Sequence, residues 1–150
     1  MWNKDRSIIL SQILIKICYV IVIACSIFAP RLVSLYDSAA ASQGLESVFG
    51  PLLVTLYCCV PPAVCALICL DILLHNIKKN QAFIAKNVTM LRIISYCCFF
   101  VAVVFVYFSI LRPFAFSIVF AAAFFGMILR VVKNCFQQAI AIREENDFTI

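Results

Sequence analysis

The sequence predicts an all-α integral membrane protein, a bundle of four transmembrane helices, and three observations predict it. Four long apolar stretches, at about residues 8–29, 52–74, 93–111 and 114–132, make up most of the chain. Each is close to the ~20 residues that an α-helix needs to cross a hydrocarbon core ~30 Å thick. The chain is 65% hydrophobic and 13% charged, whereas soluble domains are about half apolar and about a quarter charged. Finally, the 150 residues leave no connection long enough for a separate folded domain. Residues 1–150 therefore read as one transmembrane domain, with a short helical tail over 133–150.

The first span, 8–29, follows the basic residues Lys4 and Arg6. Its apolar run exceeds the usual signal-peptide core, so it reads as a permanent helix. Pro30 marks its exit, and the connection that follows is the longest one, over 31–47. That connection has a partly apolar face (Leu32, Val33, Leu35, Tyr36), which would let it lie on the membrane or extend the helix.

Gly50-Pro51 opens the second span, since proline suits a first helical position. Pro61-Pro62 sits near the middle of this span. Neither proline has an amide hydrogen, so the carbonyls of Tyr57 and Cys58 lose their helical donors. A kink with a small cavity or hinge is the expected consequence.

The connection over 75–86 is basic, with Phe83 and Ile84 able to dip into the interface. Asn87 is the expected cap of the third helix. Arg112-Pro113 leaves almost no room between the third and fourth spans, so they form an antiparallel hairpin. Ala122 and Gly126 form a small-xxx-small pair that allows close approach to a neighbour. Past residue 132, Phe136, Ala139 and Ile140 recur at helical spacing, so the last helix continues out of the membrane.

Lys and Arg give a formal net charge of +5, and their placement decides its meaning. Ten of the twelve, at 4, 6, 16, 78, 79, 86, 92, 130, 133 and 143, fall near segments on one side; Arg31 and Arg112 fall on the other. That bias puts both termini and the middle loop in the cytoplasm, with the chain in the cell membrane. The basic residues then meet anionic lipid headgroups, and direct nucleic-acid binding is not expected.

Nine cysteines invite a redox or metal reading. Eight lie within spans, Cys135 lies just past the last, and no CxxC spacing occurs. Buried cysteine packs as a small apolar residue, so packing is the expected role.

Candidate chemistry is sparse. Lys16, Asp71, His75 and Arg130 lie at or near membrane depth and form a candidate intramembrane polar site. Asp71 is the only acid within a span, with Lys16, Arg92 and Arg130 as possible ion-pair partners. Charge in lipid costs at least ~2.5–3.5 kcal/mol, so each such residue should snorkel or find a partner. The plain reading is interfacial anchoring plus one structural pair. A lone histidine makes no metal site. No nucleophile elbow or glycine-rich phosphate loop is present, so neither catalytic residues nor cofactors are expected. The C-terminal segment Arg143-Glu144-Glu145-Asn146-Asp147 is too charged for lipid. It is followed by Phe148-Thr149-Ile150, an apolar tip able to dock in a partner's groove.

Two segments resemble a known family. The run from Phe83 through Asn87, Leu91 and Arg92 to Ser95 is similar to the central motif of small bacterial four-span membrane proteins, a domain of unknown function (DUF2975). Glu145, Asn146, Asp147, Thr149 and Ile150 match that family's acidic ending, with Phe148 where leucine is usual. The resemblance implies no catalytic residues. Members are often encoded beside a small helix-turn-helix regulator of the Xre type, which implies a regulatory partnership. Asn87, Arg92, Glu145, Asn146, Asp147, Phe148, Thr149 and Ile150 are accordingly the candidate docking residues. The expected function is a non-enzymatic membrane regulator or sensor working with such a partner. The alternative is a small, oligomeric carrier or channel using the Pro61-Pro62 break and Asp71.

Overall fold

Four helices follow in chain order: α1 (Lys4–Ala41), α2 (Phe49–Lys78), α3 (Ala85–Leu111) and α4 (Phe116–Asp147), with a 3-10 turn at Pro113–Ala115 before α4. The computed structural model describes residues 4–79, 81 and 83–147. Each helix is long and apolar enough to cross a membrane, as the four stretches predict.

Pro30 lies inside α1, and the residues after it extend the helix, one of the two courses expected of that connection. Proline deprives the carbonyl four residues back, that of Ser26, of its helical donor. The Tyr57 hydroxyl of α2 donates to that carbonyl at 3.2 Å, so the helix continues with its lost bond replaced from a neighbour. Termination comes instead at Gly44, whose φ of +73° lies in the left-handed region that glycine adopts without cost. There the Gly44 amide donates to the Ala41 carbonyl at 3.0 Å and the Leu45 amide to the Ala40 carbonyl at 3.1 Å. This is the Schellman pattern. At 1.5 Å per residue α1 is about 57 Å long, so it overhangs a hydrocarbon core ~30 Å thick.

α2 begins at Phe49, which puts Pro51 third in the helix rather than first. Amides in a first turn have no intrahelical acceptor, so proline is tolerated there as well. α2 runs through Pro61 and Pro62 as one helix. Beside them a cavity of about 280 Å³ lies between α1 and α2, lined by Ser26, Ala29, Tyr57, Val60 and Ala63 among others.

Packing follows chain order. α1 packs on α2, α2 on α3, and α3 on α4; among the described residues α1 makes no close backbone approach to α3 or α4, nor α2 to α4. The four helices thus form an open row. α1 meets its neighbour along a narrow stripe: Ile8, Ile15 and Ala29 are buried and Val22 is half-buried at seven-residue spacing, and Val33 and Ala40 continue the stripe. A seven-residue repeat keeps one seam facing its partner. α3 has neighbours on both sides and buries Asn87, Val88, Leu91, Ile94, Ser95, Ala102 and Phe108.

The expected close approach at Gly126 is present. A Cβ there would lie 3.1 Å from the Phe99 ring, and the buried Ser95 hydroxyl donates to the Gly126 carbonyl at 2.8 Å. A Cβ there would be tighter than an ordinary contact, so the Phe99 ring would have to give way by a few tenths of an ångström, and glycine allows the close approach without that shift.

Candidate functional site at the basic end

One end of the row collects Lys78, Lys79, Lys86 and Arg92 around the α2–α3 connection, and α4 runs past it to Asp147. That connection is held by a closed hydrogen-bond circuit. Asn76 Nδ2 donates to Asn87 Oδ1 at 2.7 Å. Asn87 Nδ2 donates to the Gln81 carbonyl at 2.9 Å, and the Gln81 amide returns to the Asn76 carbonyl at 3.0 Å. Asn87 is 0% exposed.

This corrects the expectation that Asn87 caps α3. Ile84 holds the cap position, with no side-chain cap bond, and Asn87 lies a turn inside, tying α3 to the end of α2. Burying an amide is costly unless its donors and acceptors are met, and this circuit meets them. Asn76, which carries no motif of its own, is the half of the pair that sequence reading missed.

The connection also rests on α4, since the Phe83 and Phe136 rings lie 5.4 Å apart, tilted by 39°. Next to this contact, α3 and α4 enclose a cleft of about 300 Å³. Its apolar lining comes from Ala85, Val88, Ile140 and Ala141, and its polar lining from Thr89, Arg92, Gln137 and Glu144. The cleft therefore joins the central motif to the beginning of the acidic ending, two segments far apart in sequence. Arg92 and Glu144 are exposed, giving it one cationic and one anionic group. Glu145 and Asn146 lie one and two residues farther along α4, which ends at Asp147; Phe148, Thr149 and Ile150 lie outside the described residues.

The four candidate intramembrane polar residues do not converge. Arg130 on α4 lies over Tyr96 and Phe99 of α3, 5.3 Å from each ring centre. Such cation–π contact suits a charge at the edge of lipid. Because α4 packs on neither α1 nor α2, Arg130 is remote from the other three. Lys16, Asp71 and His75 are exposed on the outside of the row. Among the described residues no ion pair joins Asp71 to Lys16, Arg92 or Arg130. Asp71 instead lies within electrostatic reach of Tyr19 of α1.

All nine cysteines are free thiols. Cys65 lies within electrostatic reach of Cys69 one turn away and of Cys97 across the α2–α3 seam; the approach of Cys97 is not revealed by spacing in sequence.

Neither a curated protein nor a solved structure matches the chain. A family model described as "Protein of unknown function (DUF2975)" matches residues 7–150. That match takes in all four helices, the Asn76–Asn87 circuit and both walls of the cleft, and the chain belongs to this family.

Proposed function

We propose that the protein is a non-enzymatic regulator or sensor of the bacterial cell membrane that signals through its basic end to a small soluble helix-turn-helix regulator of the Xre type. In this reading both termini and the α2–α3 connection face the cytoplasm, as the ten-to-two distribution of Lys and Arg favours. The observation that carries it is the cleft beside Arg92 and Glu144. Its position past the basic ends of the spans, its two opposite charges and its apolar floor suit an amphipathic helix of a partner. The buried Asn76–Asn87 bond supports the reading by holding one wall rigid, which lowers the ordering cost of docking.

Co-purification from membranes of cells that also produce a small helix-turn-helix regulator of the Xre type tests the proposal. The intact chain should retain that regulator, and Arg92→Glu or removal of residues 144–150 should release it. Binding unchanged by both would exclude the cleft and the tail as the docking surface. Reporter fusions that put the α2–α3 connection outside the cell would overturn the orientation.

A second reading, a small oligomeric carrier or channel, draws support from the cavity beside Pro61-Pro62. It requires flux in liposomes that falls in Asp71→Asn; flux indifferent to that change would count against it.

A further inference from the structure

At the end of the row opposite the basic cluster, the α1–α2 connection and the α3–α4 turn meet in a charged knot. Asp37, near the end of α1, accepts from the Ser47 hydroxyl at 2.6 Å and from the Val48 amide at 2.9 Å. It thereby caps α2 from a different helix and places a carboxylate at its positive end. Arg112, in the α3–α4 turn, donates from Nη2 to the Glu46 carbonyl and lies within electrostatic reach of Asp37. Arg112 Nε is buried and has no hydrogen-bond partner. With almost no accessible surface that N–H is closed to a ligand, which leaves the Nη groups as the donors a ligand can reach. Below it, on the membrane side, a cavity of about 250 Å³ is lined by Leu52, Leu56, Phe105, Phe108 and Ile118, with Arg112 at its rim.

We propose that this cleft binds one zwitterionic phospholipid with a primary ammonium headgroup, a phosphatidylethanolamine, with an acyl chain in the cavity and the phosphate on Arg112. Beyond the one Nη2 N–H given to Glu46, the Nη1 and Nη2 groups present the planar, two-donor edge that a phosphate oxygen pair matches. Arg112 stands at the end of a membrane-crossing helix, the depth at which a lipid phosphate lies. The charges beside it select the rest of the headgroup. Asp37 and the exposed Glu46 supply two negative charges around one arginine, which disfavours an anionic lipid and favours an ammonium. Each Asp37 oxygen has a second lone pair beyond the one used by Ser47 or Val48, so an ammonium can be accepted without breaking the cap.

The test is native mass spectrometry of the full chain, extracted by mild detergent from bilayers holding equal phosphatidylethanolamine and phosphatidylglycerol. One phosphatidylethanolamine should remain bound, with about tenfold preference over phosphatidylglycerol, equivalent to about 1.4 kcal/mol. Ile118→Trp should fill the cavity and abolish retention without touching a polar group, and Arg112→Gln should abolish it by removing the phosphate donor. Asp37→Asn should shift the preference toward phosphatidylglycerol. If Arg112→Gln lowers helical content, Arg112→Lys, which keeps the charge but loses the planar edge, takes its place. Equal retention of the two lipids, or full retention in Ile118→Trp, would overturn the proposal.

Discussion

α1 and α3 are equally apolar, yet the fold treats them differently. α3 stands between two neighbours and carries two of the buried polar side chains, Asn87 and Ser95, each bonded to a different helix or connection. α1 stands at the edge of the row with one neighbour, and exposes Ile13, Leu14, Ile17, Val20, Ile21 and Ile27. In lipid no hydrophobic force separates buried from exposed apolar side chains; shape and hydrogen bonds decide which helices are held. The contrast therefore teaches that position in the row and a handful of polar or small residues fix the packing, while hydropathy fixes only which segments enter the membrane.

Four substitutions test that contrast, and the largest effect belongs to Asn87. Asn87→Ala leaves the buried Asn76 amide without this partner and breaks the bond to the Gln81 carbonyl, and should destabilise the protein by about 2–3 kcal/mol. Denaturant titration in mixed micelles would measure it, and early proteolysis between α2 and α3 should accompany it. Next comes Gly126→Val, which drives a branched side chain into the Phe99 ring and should cost about 1–3 kcal/mol. A paired Phe99→Ala should recover part of that loss; a double mutant no better than the single would place the clash elsewhere. Tyr57→Phe is milder, about 0.6 kcal/mol and at most about 1.7 kcal/mol, the range of interhelical hydrogen bonds in membranes. Its diagnostic sign is faster amide exchange around Pro30 in α1 with α3 unchanged. The smallest effect is expected at Asp37→Ala, where exchange should quicken only over residues 42–50 and global stability should stay nearly constant. If α1 substitutions destabilised the whole protein as strongly as Asn87→Ala, the contrast between edge and centre would be wrong.

Several site features were legible in the chain, and the misses have physical causes. Gly126 reads as a contact because a residue without a side chain in a phenylalanine-rich hairpin has few other uses, and Phe99 now lies against it. Asn87 reads as structurally important, but its role is not a cap. Local reasoning sees only the nearest free amides, whereas the side chain found Asn76, eleven residues back across a turn. At Pro30 the chain alone left two courses open, because whether the helix continues depends on a donor from elsewhere, and Tyr57 lies thirty-one residues from Ser26 in sequence. Asp71 and Arg130 looked like partners because both are ionisable at similar depth, but depth carries no information on which helices touch.

By itself, the sequence determined that four segments enter a membrane, that nearly all the positive charge collects at one end, and that the third and fourth helices form a hairpin. Those properties follow from transfer free energy and loop length, both local sums over residues. Only the tertiary structure decided that the helices form an open row, that an asparagine circuit seals the α2–α3 connection, and that Arg92 and Glu144 border one cleft. These depend on which surfaces meet, and in lipid the choice rests on steric fit and a few hydrogen bonds between residues remote in the chain.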